Sequence, residues 1–241
     1  MIIGITGLAG SGKDTLAAKL KERLDKELDK EHYDNIIYDL AKPIKDIVTS
    51  IWGIHPSILN DQSKKNLPIK LDNSLILGNY VDSIYGCLLE SYTPNLNKYV
   101  YGINFKIAPL LKAYVEHHNY VRSPRQLMQY IGTELFKVRI RRDIWLDIAS
   151  TVIPNQGDLI IPSIRFDEEA QWVRDNGGIV IHIYRTDMND EKQDWNLHVS
   201  EQGINPEFIN LSCHNDLNRG YDNINDMVDY VISIHPCIDN K

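Results

Sequence analysis

The sequence predicts an α/β fold built on a mainly parallel sheet. Three observations carry that prediction. Short apolar runs at 2–6, 158–162 and 179–185 have the length of buried strands. Amphipathic helical stretches alternate with them. The first run leads straight into a glycine-rich loop, Gly7-x4-Gly12-Lys13, that opens a helix.

The elements follow in order. "IIGIT" (2–6) is a short apolar run ended by glycine, and it reads as the first strand. From Asp14 to about Lys30 the leucines fall at 16, 20, 24 and 28 with Ala17 beside them, which predicts an amphipathic helix with a solvated charged face. "NIIYDLA" (35–41) is a second strand. The stretch from 52 to about 105, extended to 120 as a unit, has weak periodicity and many Tyr and Asn, and it reads as an inserted, partly helical subdomain. "RSPRQLMQYIGTELF" (122–136) predicts one helix, with Ser123 as N-cap, Pro124 at the first position and Gln126 completing a capping box. "DLIIP" (158–162) is a third core strand. A helix over 166–176 ends at Gly177-Gly178, and "IVIHIYR" (179–185) is the fourth strand. After a polar, acidic stretch to about Gly203 come a short strand near 209–213 and a helix near 222–233. There is no internal repeat.

Composition narrows the function. The 241 residues are 43% apolar and 24% charged, with a net charge of −7. These are ordinary values for a soluble globular chain and give no sign of a general nucleic-acid or membrane-surface binder. No apolar run reaches the ~18 residues of a membrane span, and Met1 leads directly into a strand rather than a signal peptide. The cysteines Cys87, Cys213 and Cys237 are odd in number and far apart, so they read as reduced thiols of a cytosol without a function. The eight histidines show no metal-ligand spacing.

The loop carries the chemistry. Gly7, Ala9, Gly10, Ser11 and Gly12 let successive N–H groups point inward at a phosphate, and the following helix adds its positive end. Lys13 supplies a mobile positive charge for the terminal phosphates. Asp14 stands where a hydroxyl is usual, and Thr15 follows it. A carboxylate beside a triphosphate is repulsive unless a cation lies between them, so Asp14 and Thr15 are candidate magnesium ligands. The plainer alternative is that Asp14 only favours the helix start through the dipole.

Other candidates are cationic. Arg122, Arg125 and Gln129 fall at i, i+3, i+7 and would share a helix face able to clamp a phosphate and read a base edge, while Leu127, Ile131 and Leu135 pack inward. Arg139, Arg141 and Arg142 form a close group, equally well explained as solvated surface. Arg165 and Arg185 follow buried strands, where open α/β sheets place ligands.

"GLAGSGKDT", "LAKPIKD", "SPRQLMQYIGTEL", "DIWLD", "IPSIRFDEEA" and "GGIVIHIYR" occur in that order across nearly the whole chain. Together they resemble the deoxynucleoside monophosphate kinases of tailed bacteriophages. The resemblance implies a single nucleoside monophosphate kinase domain over 1–241. Its core would be a phosphate-loop three-layer fold, a mainly parallel five-stranded sheet with helices on both faces. The inserted monophosphate-binding region would be 52–120 and the LID 186–203. It implies ATP-dependent phosphorylation of deoxynucleoside 5′-monophosphates, with Mg2+, in a cytoplasm (the host's, if phage-encoded). No nucleic acid polymer or membrane partner is expected, and a homodimer is compatible. Lys13, Arg165 and Arg185 would be catalytic. Arg122, Arg125, Gln129, Asp39 and Lys42 would hold the acceptor, and Asn215 would touch the donor adenine.

Two departures stand out. Ser163-Ile164-Arg165 lacks the acid that related sequences carry after the third core strand, leaving Asp167, Asp39 or Asp14 to compensate. The expected LID is acidic (Asp187, Asp190, Glu191, Asp194), with only Lys192 and His198 as cations. The rivals are another small-molecule kinase of the phosphate-loop class, acting on dephospho-coenzyme A or phosphomevalonate, and a non-catalytic nucleotide switch or motor ATPase. A motor should carry an acid on the strand "LIIPSIR", which has none.

Overall fold

The structure, a computed structural model, describes residues 1–28, 32–70, 106–117, 121–187 and 198–237. Its elements run β1 (Ile2–Thr6), α1 (Lys13–Glu27), β2 (Ile36–Ile37), α2 (Lys42–Trp52), α3 (Pro56–Asn60), β3 (Ile69–Lys70), α4 (Ala108–His117) and β4 (Val121–Arg122). They continue with α5 (Pro124–Gln129), α6 (Ile144–Ala149), β5 (Leu159–Ile161), α7 (Asp167–Asp175), β6 (Ile179–Tyr184), β7 (Leu211–His214) and α8 (Asp222–Ser233). The chain divides into two compact units, 1–40 with 152–241, and 41–151.

The first unit is a five-stranded sheet in the order β2-β5-β1-β6-β7, with every pairing parallel. β1 is central and all five of its residues are buried, as its unbroken apolar run requires. One face is covered by α1 and α8: Leu16, Leu20 and Leu24 join Ile3, Ile5, Ile181, Ile183, Val228 and Val231 in one core cluster. Each such leucine contributes roughly 1.5–3 kcal/mol by leaving water. The other face is met by α7, which packs on β1 and β6. A side chain at Gly4 would close to about 3 Å of Ile164 and Val173 there.

Of the strand predicted at 35–41, Ile36 and Ile37 pair in register with β5, the Tyr38 N–H still donates to the Ile160 carbonyl at 2.8 Å, and side chains add further bonds at both ends. Asn35 Oδ1 accepts from the Asp158 N–H at 3.0 Å, and Ser163 Oγ accepts from the Leu40 N–H at 3.0 Å. The helix predicted to reach about Lys30 is described to Glu27, with 29–31 outside the described residues. The final helix lies at the predicted bounds.

In the second unit the single helix predicted at 122–136 is three pieces. Arg122 belongs to β4, which pairs antiparallel with β3. Ser123 caps α5 with the predicted capping box to Gln126. From Tyr130 to Lys137 the helix widens to π geometry. Within that run the Gly132 carbonyl accepts from Trp145 Nε1 at 3.0 Å, and a Cβ on Gly132 would stand 2.6 Å from Ile44 Cδ1. Leu127, Ile131 and Leu135 are buried, as their spacing predicts. The stretch 52–120 falls in this unit, with 71–105 and 118–120 outside the described residues, as are Cys87 and most of the expected LID (188–197).

A buried ionic cluster sits at the amino end of β5. Asp158 Oδ1 accepts from the Met1 α-amino group at 2.6 Å, and His235 Nε2 lies 2.9 Å from the same oxygen. Burial alone would push the Asp158 carboxyl up, but the hydrogen bonds from His235 and the Met1 ammonium outweigh it and hold it below the ordinary 3.8. A carboxyl lower in the folded than in the unfolded state stabilises fully above the unfolded value, and that stability is lost as pH falls through the folded one. Asp158→Asn is therefore expected to cost about 3 kcal/mol at pH 7, the scale of breaking a buried pair. It should also flatten the loss of stability below about pH 4. Urea unfolding across that range checks both, and parallel curves for the two proteins would contradict the assignment.

Candidate active site

The carboxyl ends of β1, β6 and β7 converge on the loop from Gly7 to Gly12. Gly7, Gly10 and Gly12 all take positive φ (147°, 81° and 106°). A Cβ at Gly7 would stand 2.1 Å from the Ile183 carbonyl oxygen of β6, and one at Gly12 would stand 2.6 Å from Asn215 Nδ2. Glycine is therefore demanded both by conformation and by space. Lys13, the first residue of α1, donates through Nζ to the carbonyls of Gly7 and Leu8, each at 2.7 Å, so its ammonium is held over the loop. Ser11 Oγ is buried without a hydrogen-bond partner among the described residues.

Two side chains brace this loop from the sheet. Asn215, just after β7, is buried and donates from Nδ2 to the Ser11 carbonyl at 2.8 Å. Arg185, just after β6, donates from Nη1 to the Gly10 carbonyl at 3.2 Å. Its Nε and Nη2 take both oxygens of Asp187, at 2.9 and 2.6 Å, and this pairing raises the arginine and lowers the carboxyl. Arg165, beyond β5, donates from Nη1 to the Ser200 carbonyl and to Glu201 Oε1. Asp14 is exposed on the first turn of α1, and Thr15 beside it is half-buried.

An aromatic stack lies on the same edge. The Tyr184 ring is 5.5 Å from His182 and 5.1 Å from His214, with planes within about 22°. Thr6 of β1 pairs in register with His182. Burial first, and then the Lys13 ammonium, push the His182 imidazole down. No motif in the sequence marked these rings.

The sequence profile described as deoxynucleotide monophosphate kinase matches residues 1–219. The chain belongs to that family. It is 25% identical over 245 residues to a deoxynucleoside-5′-monophosphate kinase of Escherichia phage T5, covering 94% of this chain and 92% of the relative. It is 24% identical over 224 residues to a deoxynucleotide monophosphate kinase of Enterobacteria phage T4, covering 84% and 87%.

The acceptor candidates of this family member lie in the second unit, apart from Asp39, which precedes it. Arg125 is 3% exposed: Nε donates to Asn66 Oδ1 at 2.8 Å and Nη2 to Gln62 Oε1 at 2.9 Å. Its backbone N–H meets the Lys65 carbonyl at 2.9 Å. The helix face expected to join Arg122, Arg125 and Gln129 is therefore not formed, since Arg122 lies in β4 ahead of the N-cap. The Arg122 Nε is buried without a hydrogen-bond partner among the described residues. Burial pushes the Tyr114 hydroxyl up against the opposing pull of the Arg122 charge, and the Tyr114 ring stacks on Tyr130 at 4.0 Å. Gln129 ends α5, and Lys42, at the start of α2, pairs with Asp46 at 2.7 Å. Arg141 pairs with Asp143 and Asp147 of its own segment, as a solvated surface group would.

Arg125→Lys is expected to be costly, because one ammonium cannot reproduce a planar fork that meets two amides. A buried acceptor left unmet costs about 1–3 kcal/mol. Thermal unfolding should register that loss, and an unshifted midpoint would contradict it.

Proposed function

We propose that this chain transfers the γ-phosphoryl group of ATP to deoxynucleoside 5′-monophosphates, giving deoxynucleoside diphosphates and ADP. The observation that carries the reading is the braced loop, in which three positive-φ glycines and the Lys13 ammonium build a cradle for a polyphosphate. The unmet Ser11 hydroxyl in that loop fits an oxygen-rich ligand. Family membership supports the acceptor class.

Phosphoryl transfer needs little covalent help; positioning and charge neutralisation carry it. The backbone of 7–13 and Lys13 hold the donor phosphates. Arg165 meets the transferring group, and Arg185 acts beside it by holding the loop that carries the donor phosphates. Arg122, Arg125, Gln129, Asp39 and Lys42 serve the acceptor, and the buried unmet Arg122 Nε supports an anionic ligand there. The burial of Asn215 and its bond to Ser11 favour support of the loop over contact with adenine. The Asp14 carboxylate and the Thr15 hydroxyl fit magnesium, which takes one or two protein oxygens beside the substrate's phosphates. Bound magnesium would neutralise charge on the β and γ oxygens.

With nucleotides as both substrates, the reading implies a cytoplasmic enzyme with no nucleic acid polymer or membrane as partner, and a homodimer is compatible with it. Among the described residues no helix is long and apolar enough to cross a membrane.

The test is stoichiometry. ADP should form one for one with deoxynucleoside diphosphate, and only when a deoxynucleoside monophosphate is present. A switch or motor would instead release ADP without an acceptor. A magnesium titration at fixed ATP tests the metal ligands. Asp14→Asn should need more magnesium for half-maximal rate, while metal-free ATP binds as well or better because a repulsive carboxylate is gone. An unshifted titration would leave Asp14 as a dipole partner only.

A further inference from the structure

Arg165 and Arg185 follow the two strands that flank β1, yet they differ in which edge of the guanidinium is taken. Arg185 gives its Nε–Nη2 edge to Asp187 and its Nη1 to the Gly10 carbonyl. Arg165 donates twice from Nη1 alone, to the Ser200 carbonyl at 3.2 Å and to Glu201. Its Nε and Nη2 have no hydrogen-bond partner among the described residues. Two parallel N–H donors on one edge are what binds a phosphoryl oxygen pair bidentately.

The partner that leaves this edge open is firmly held. The Glu201 side chain is 9% exposed and ends the short turn Val199–Glu201. His198 caps that turn: its Nδ1 accepts from the Ser200 N–H at 3.2 Å and lies 2.8 Å from Ser200 Oγ. The Arg165 backbone is fixed from another side, where its N–H donates to the buried Glu169 Oε2 at 2.8 Å. Asp187, by contrast, is 54% exposed, and an exposed partner is weakly held.

We propose that Glu201 is a positioning residue for phosphoryl transfer. It grips Arg165 by one nitrogen so that the Nε–Nη2 edge meets the transferring phosphoryl group, whereas Arg185, closed by Asp187, braces the phosphate loop. The two arginines that look equivalent in sequence thus divide the task. This rests on the kinase reading above. The sequence offers no sign of the role, because Glu201 stands 36 residues from Arg165 at the edge of an acidic stretch.

The test is a kinetic double-mutant cycle on the full chain, with kcat, both KM values and the unfolding midpoint measured. Glu201→Ala should lower kcat about tenfold or more, since a small misplacement of an arginine at the reacting centre is amplified. The KM for ATP should move by no more than about twofold. Glu201→Gln, whose amide oxygen still accepts from Nη1, should recover most of the rate. Adding Glu201→Ala to Arg165→Ala should cost nothing further in kcat. Should the alanine variant not fold, Glu201→Asp, which keeps the charge but shortens the reach, carries the same cycle. An equal loss of kcat with and without Arg165 overturns the proposal. So does a fall in unfolding midpoint with kcat unchanged. Wild-type protein that forms no deoxynucleoside diphosphate overturns the kinase reading as well, whereas an active wild type with an indifferent Glu201 overturns this inference alone.

Discussion

Lys13→Ala should fold normally and lose about a hundredfold or more in kcat, some 3–4 kcal/mol of transition-state stabilisation. The fold survives because Lys13 is half-exposed at the start of α1, and its contacts are to loop carbonyls that water can satisfy instead. The rate falls because an ammonium held over the loop neutralises charge that grows on the phosphates as the bond breaks. The loss should appear in kcat more than in KM, as it does when an interaction is made chiefly in the transition state. Activity within threefold of the parent would remove Lys13 from the chemistry.

Gly7→Ala should be nearly as damaging by a different route. The added methyl would lie 2.1 Å from the Ile183 carbonyl oxygen at a φ of 147°. Backbone atoms cannot step aside as a side chain can, so either β6 or the loop must move. The Gly7 carbonyl also receives the Lys13 ammonium at 2.7 Å, so displacement of the loop displaces the lysine. A shift on the order of 1 Å at such a centre costs about a hundredfold in rate. Strain of this kind adds roughly 1–3 kcal/mol of destabilisation. Rate and unfolding midpoint should therefore fall together, in contrast to Lys13→Ala, where only the rate falls. A Gly7→Ala protein with parental rate and midpoint would contradict the described loop.

What was legible in the sequence follows from the range of the interactions involved. β1, the loop and α1 are local and consecutive. Their signal is complete within residues 2–27, where the apolar run, the three glycines and the leucine spacing all agree. The parallel sheet was readable because each buried strand carries its own apolar run. The widening of the helix at Tyr130–Lys137 was not, because Ile131 and Leu135 give the same inward pattern for α and π geometry. The burial of Arg125 was not legible, since nothing near it in sequence reveals Gln62 and Asn66, about sixty residues away. Arg122 could not be removed from the helix without knowing that Ile69 and Lys70 pair with it. The counter-ions of the two arginines differ in the same way. Asp187 is two residues from Arg185, whereas Glu201 reaches Arg165 only through the fold.

The most direct test of the central claim is a coupled assay in which purified protein with Mg·ATP meets each deoxynucleoside and ribonucleoside monophosphate in turn. Dephospho-coenzyme A and phosphomevalonate are offered alongside. The account predicts acceptor-dependent ADP release with one or more deoxynucleoside monophosphates, abolished in Lys13→Ala. Turnover confined to dephospho-coenzyme A or phosphomevalonate, or ADP release that ignores the acceptor, would contradict it.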